Sequence, residues 1–277
     1  MRVPRASVLL LTSFLCAFAG AAAAQALLPH RAVYDLALSE ADEEAQIEAL
    51  TGRWVFEFSG SACEGYTLKS RIVMRFEMTE GSRLVDQRVT SFEDAAGETF
   101  RFVTKSFIDE QLDNEVKGTA RRKDTGTVVE YEQPEKTERS FATVLFPTGQ
   151  LRELLEKAKK GERFYESAIF DGTEFTDNAV MVSVVVGEPK PVDEGDTERK
   201  ALGPLARDTF LPVTAAYFDG EASDGEEVSE YNVSFKLHES GIQRDMMIRY
   251  ADYSMTAKLA DLTLFEPDEG CARESGN

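Results

Sequence analysis

Read along the chain, apolar and polar residues alternate with a period of two in one segment after another. Trp54, Phe56 and Phe58 alternate with Arg53, Val55 and Glu57. Ile72, Met74, Phe76 and Met78 alternate with Arg71, Val73, Arg75 and Glu77, and Tyr231, Val233, Phe235 and Leu237 with Asn232, Ser234, Lys236 and His238. Period two places each apolar set on one face of a half-buried strand. Comparable runs lie at 29–38, 83–92, 99–109, 113–122, 126–132, 137–146, 162–170, 177–187, 209–218, 242–250 and 253–265. Turn pairs such as Glu80-Gly81, Ala96-Gly97, Thr125-Gly126, Asp171-Gly172 and Ser240-Gly241 separate many of them. The pattern therefore predicts a mainly β fold of about fourteen strands, more than one flat sheet carries well. A coiled, spiral or barrel-like antiparallel sheet is the economical arrangement, because it leaves few open edges.

Val180–Val186 is apolar at nearly every position, which predicts a strand covered on both faces. One helix is predicted, over about 148–160: Leu151, Leu154, Leu155 and Ala158 share a face, Thr148 caps the start and Gly161 ends it. An amphipathic helix in a β protein needs an apolar wall, and the concave side of the sheet supplies one. Ser39–Ala49 reads as an acidic connection. The mixed-charge stretch Glu188–Lys200 and acidic Asp219–Glu227 read as exposed loops.

The N-terminus changes the picture. Arg2 and Arg5, an apolar run Ala6–Ala19 and small residues to Ala24 have the three parts of a secretory signal, with cleavage after Ala24 or Ala26. The run is short for a retained anchor helix. Cys16 falls within it, after the bulky Phe14 and Leu15, and is discarded with the signal rather than lipidated. Residues 25 to 277, about 250 in all, are expected to form a single β-rich periplasmic domain and not an integral membrane protein. The formal net charge of −19 opposes nucleic-acid binding and attraction to anionic headgroups. Cys63 and Cys271 remain in the exported chain, and an even count in that compartment favours a disulfide. Closing a loop of about 208 residues is worth at most ~5 kcal/mol in the chain-entropy picture. Two free thiols are the alternative. No Cys or His stands at metal-ligand spacing near either cysteine.

Candidate chemistry is sparse. The exported part holds two histidines, His30 near its start and His238 on the polar side of a strand, both read as exposed and incidental. No nucleophile elbow, zinc-protease or phosphate-loop motif occurs. The 50 acidic residues make a chain-adjacent carboxylate pair uninformative. Asp219–Glu227 lacks the ordered spacing of a calcium loop. Phe92, Phe100, Phe102 and Phe107 could line a lipid cavity, but core packing accounts for them more simply. No catalytic residue, metal or cofactor is expected.

Two segments, His30-Arg31-Ala32-Val33-Tyr34-Asp35-Leu36-Ala37-Leu38 and Gly52-Arg53-Trp54-Val55-Phe56-Glu57-Phe58-Ser59-Gly60-Ser61-Ala62-Cys63-Glu64-Gly65-Tyr66, resemble the EipB family of alphaproteobacterial envelope-integrity proteins. The second is the more specific, and the resemblance runs from about His30 to Cys271. It implies a periplasmic, spiral-like antiparallel β fold without enzymatic activity, and a disulfide joining Cys63 in an N-terminal strand to Cys271 in the tail. The expected role is envelope maintenance through binding an unidentified periplasmic protein. The alternative is a lipid or lipoprotein carrier or chaperone working through the concave face, decided by whether the Leu151, Leu154, Leu155 face plugs the sheet or leaves room beside it.

Overall fold

A computed structural model describes residues 27–218 and 228–266. Eight antiparallel strands come first: β1 (His30–Ala41), β2 (Ile47–Ser61), β3 (Gly65–Met78), β4 (Gly81–Glu93), β5 (Thr99–Ile108), β6 (Gln111–Lys123), β7 (Gly126–Gln133) and β8 (Thr137–Phe141). Helix α1 (Pro147–Lys159) comes next, then β9 (Phe164–Ile169), β10 (Val180–Val186), β11 (Lys190–Pro191) and the one-turn helix α2 (Arg199–Leu202). The chain closes with β12 (Thr209–Phe218), β13 (Tyr231–His238), β14 (Gln243–Arg249) and β15 (Tyr253–Leu264).

These 15 strands make one antiparallel sheet in the order β8-β7-β6-β5-β4-β3-β2-β1-β15-β14-β13-β12-β10-β9, with β11 beside β12. Hairpins build each half, and the halves join where β1 meets β15, from His30 opposite Leu264 to Ala41 opposite Tyr253. The sheet coils without closing into a barrel. Its end strands are β8 and β9, and Leu145, just before α1, bridges to Ile169 of β9.

Two buried clusters fill the coil. The larger lies between α1 and the apolar faces of β1, β9, β10 and β12–β15, with Leu154 and Ala158 from the helix. The smaller is aromatic: Phe100, Phe102, Tyr131, Phe141, Phe146 and Phe170 pack together, Phe100 and Phe146 with ring centroids 5.2 Å apart. Phe100 and Phe102 are thus core residues, as simple packing requires.

Several expectations need correction. The fold class and the strand count of about fourteen are as expected, and it is the segment read as an exposed loop that differs, since it adds the two-residue β11. That segment is not wholly exposed, since Val192 and Glu198 are buried, as are Leu202 and Leu205 just after it. β10 is not covered on both faces: Val182, Val184 and Val186 are buried, but Met181 and Val185 are exposed. Valine is favoured on a pleat whichever way it points, so an unbroken apolar run did not discriminate. Both histidines are buried, because α2 and its flanks fold back over His238 and aromatic rings flank His30. The connection after β1 shortens to residues 42–46, with a 3-10 turn at Glu43–Ala45. The signal segment, the Asp219–Glu227 loop and Cys271 lie outside the described residues.

Candidate functional site: an uncharged cavity beside helix α1

The site begins with how α1 is held. Phe146 is extended at its N-cap and Pro147 takes the first helical position, where a missing N–H costs nothing. Thr148 lies inside the helix and does not cap it. The cap comes instead from Glu93 at the end of β4, whose carboxylate accepts the N–H groups of Thr148 (2.7 Å) and Gly149 (3.0 Å). A carboxylate there also complements the helix dipole. Burial raises the Glu93 pKa, against the lowering effect of those hydrogen bonds. At the other end Gly161 (φ +83°) lets its N–H reach Ala158 O at 3.0 Å and that of Glu162 reach Lys157 O at 2.9 Å, a Schellman stop.

So fixed, the helix turns its apolar face to the concave side of the sheet. Leu154 and Ala158 are buried against it, while Leu151 and Leu155 are half-buried against Leu27, Phe58 and Tyr66. The face does not close fully. Beside Leu151 and Leu154 lies a cavity of about 320 Å³, at the lower end of small-molecule sites. Its walls come from β1 (Tyr34), β2 (Trp54, Phe56, Phe58), β3 (Leu68), β10 (Val184), β12 (Ala215, Tyr217), β13 (Tyr231, Val233, Phe235) and β14 (Gln243, Met246, Ile248). A bulge at Asp245, whose φ is +50°, breaks the alternation of β14. Gln243 therefore faces the cavity together with Met246 and Ile248, and Arg244 turns elsewhere.

Among the described residues, no Asp, Glu, Lys or Arg lines the cavity. Some of its polar atoms are engaged with the protein: the Tyr34 hydroxyl donates to Gln243 O (2.7 Å) and Trp54 Nε1 to Ser70 Oγ (2.8 Å). His30 Nδ1 donates to Leu28 O (2.7 Å), which leaves Nε2 as the acceptor of a neutral ring. Burial lowers the His30 pKa against that backbone bond, keeping the ring neutral. Burial raises the phenols of Tyr34 and Tyr231, and pushes that of Tyr217 up to about 12. The wall thus carries no charge at neutral pH. Ser240 Oγ, at the same cavity, has no hydrogen-bond partner among the described residues, so His30 does not activate it. The arrangement suits retention of a neutral apolar group.

The ionisable groups gather elsewhere. Arg244, 0 % exposed, donates from Nη1 to Asp196 Oδ2 and Glu198 Oε2, both at 2.9 Å, and from Nε to His238 Nε2 at 2.9 Å. Glu198 also accepts the N–H groups of Asp245 (3.1 Å) and Leu259 (2.6 Å), next to the register shifts of β13–β14 and β1–β15. Burial lowers the pKa of His238 to about 4, with the Arg244 charge adding to the effect. Burial opposes ionisation of Asp196, but hydrogen bonds from Lys236, Glu198 N–H and Arg244 outweigh it and bring that carboxyl to about 2. The cluster is a clasp: it pins the 188–208 segment to β13–β15. No group of three metal-ligating side chains is placed to hold an ion among the described residues.

Of the residues singled out in the sequence, Leu151 and Leu154 meet at the cavity, Leu155 and Ala158 pack beside it, and Cys63 lies in the β2–β3 turn away from this wall. Alternation alone had put Trp54, Phe56 and Phe58 on one face, and Tyr231, Val233 and Phe235 on another. That the two faces line one cavity depends on the β1–β15 pairing, which no local pattern encodes.

Comparison with known proteins agrees with this architecture. The sequence profile of the EipB-like family matches residues 21–266. The chain is 44% identical over 264 residues to a protein of Brucella abortus (strain 2308) named cell envelope integrity protein EipB, covering 92% of this chain and 93% of that one. A crystal structure of a β-barrel-like protein from Brucella abortus, described as a domain of unknown function, superposes with a TM-score of 0.82 at 44% identity. That match covers 87% of this chain and 99% of the other.

Proposed function

This chain belongs to the EipB-like family, and from that premise we propose that it maintains the integrity of the cell envelope without catalysis. In this reading it is a soluble periplasmic protein that holds the acyl chain of a lipid or lipoprotein between α1 and the sheet. The observation that carries the proposal is the room left beside Leu151 and Leu154, walled by aromatic and aliphatic side chains and free of charge. Such a wall favours a hydrocarbon chain and penalises an ionised headgroup, which would lie buried without a partner. Native mass spectrometry of the protein, purified gently from its own envelope, tests it. Lipid-sized adducts are expected, and Leu151→Glu is expected to lose them while still unfolding cooperatively, which shows that the variant folds. Bare wild-type protein contradicts the reading. The same spectra read export: the chain is expected to start at Gln25 or Leu27, and a mass retaining residues 1–24 contradicts cleavage.

A second reading, contact with another periplasmic protein, is favoured by the outward face of β9 and β10. There Phe164 is 63 % exposed, Val185 51 % and Met181 37 %. Phe164 and Val185 are cross-strand partners, so the exposed apolar groups form a patch rather than scattered points.

A further inference from the structure

We propose that the free edge of β9 accepts an extended segment of a partner protein as an added strand, with an apolar residue over Phe164 and a Lys or Arg beside Glu166. The inference deepens the protein-contact reading and does not depend on what fills the cavity.

The backbone fixes which groups are open. Leu145 N–H donates to Ala168 O (2.9 Å) and Phe170 N–H to Leu145 O (2.9 Å), so even-numbered residues of β9 point their peptide groups away from β10. Val186 N–H to Arg163 O (2.9 Å) shows the odd-numbered ones pointing towards it. Leu145 satisfies the end of the outer edge at Ala168 and Phe170. The peptide groups of Phe164 and Glu166 lie on the same outer edge and have no backbone partner among the described residues. Natural sheets blunt such edges with charge, proline or a covering element. Here the flanking charges are already taken, Arg163 by Glu188 (2.9 Å) and Lys157 by Glu162 (3.0 Å). Instead of a guard, the edge presents an exposed Phe164 beside Val185.

Charge decides the occupant. Glu166 is in no ion pair among the described residues and bonds only Ser183 Oγ (3.1 Å). A second copy of this chain would bring another formal charge of −19 and a second Glu166 to the same edge. A basic, strand-forming segment instead neutralises Glu166 while its main chain pairs with the open groups, the usual division of labour in strand addition.

The test is amide hydrogen exchange on the full exported chain, with the eight-residue peptide Thr-Val-Thr-Lys-Thr-Val-Thr-Lys as the probe, so that Val and Lys, two residues apart, share the face opposite Phe164 and Glu166. The proposal expects slowed exchange at Phe164 and Glu166, weakened by salt. Affinity should fall about fivefold in Glu166→Lys and return with a Val/Glu peptide, a charge swap that a folding defect cannot mimic. Methylating alternate peptide amides should abolish the protection. Binding that survives methylation overturns strand addition while leaving protein contact at this face standing. No binding by either peptide overturns the edge as a docking site. Concentration-dependent protection of the same amides in the chain alone assigns the edge to a second copy, and protection by phosphatidylglycerol vesicles alone assigns it to a membrane. Either result overturns the proposal.

Discussion

His238 carries the clearest residue-scale consequence. Folded, it titrates near 4; unfolded, it returns to the ordinary value near 6.5. Between those values the unfolded chain holds more protons, so stability falls as pH drops through that window. The lowered pKa of His30 acts in the same direction. Asp196 acts differently: its lowered carboxyl stabilises the fold at and above pH 4, and that share is lost only as pH falls towards about 2. The His238 contribution is on the order of 3 kcal/mol. In His238→Gln the amide oxygen still accepts the Arg244 Nε–H, so the fall in urea midpoint between pH 6.5 and 4 should shrink markedly. An unchanged pH profile would place the acid sensitivity elsewhere. The sequence placed His238 on the polar face of its strand. Its burial was not legible, because the covering segment comes from residues 188–208 and reads as charged loop.

At the scale of elements, α1 depends on a residue 55 positions away, for the Thr148 N–H bonds the Glu93 carboxylate. Removing that carboxylate leaves helix N–H groups buried and unpaired, so Glu93→Ala should cost about 1–3 kcal/mol. Glu93→Gln, which keeps an acceptor and loses the charge on the helix dipole, should cost about 0.3–1 kcal/mol. Equal denaturant midpoints for the two variants would remove Glu93 from the capping role. The helix itself was legible from Leu151, Leu154, Leu155 and Ala158 and from Gly161, because those signals are local. Its N-cap was misread, since a threonine before an apolar stripe looks like a cap when the competing carboxylate comes from another strand. β10 failed in the opposite way: its valines suit a strand on either face, and only the core packed around Leu154 decides which face is covered.

For the whole molecule, the sheet joins its two halves through β1 and β15 alone among the described residues, so anything that ties the chain's ends protects the coil. We propose that Cys63, in the β2–β3 turn, pairs with Cys271. Nonreducing peptide mapping should find the two linked, and Cys63→Ser should lower stability by about 2–5 kcal/mol and raise protease sensitivity. Two free thiols in the unreduced exported protein would end this proposal. The strand inventory was legible almost entirely, because period two is written locally. Neighbour order was not, because pairs such as His30 with Leu264 lie far apart in sequence and alternation names a face without naming a partner. The candidate site shares that limit: the helix side of the cavity was visible in sequence, and the opposing wall exists only once β1 and β15 pair.

Occupancy of this cavity by a hydrocarbon chain can be read directly, because the molecule carries its own reporter. Trp54 is the single tryptophan of the chain and lines the cavity. Titration with a single-chain phospholipid brominated on its acyl chain should quench Trp54 fluorescence saturably, and Leu151→Glu should abolish the quenching while still unfolding cooperatively. Unquenched Trp54 at saturating lipid, or equal quenching in Leu151→Glu, would show that no acyl chain enters the cavity.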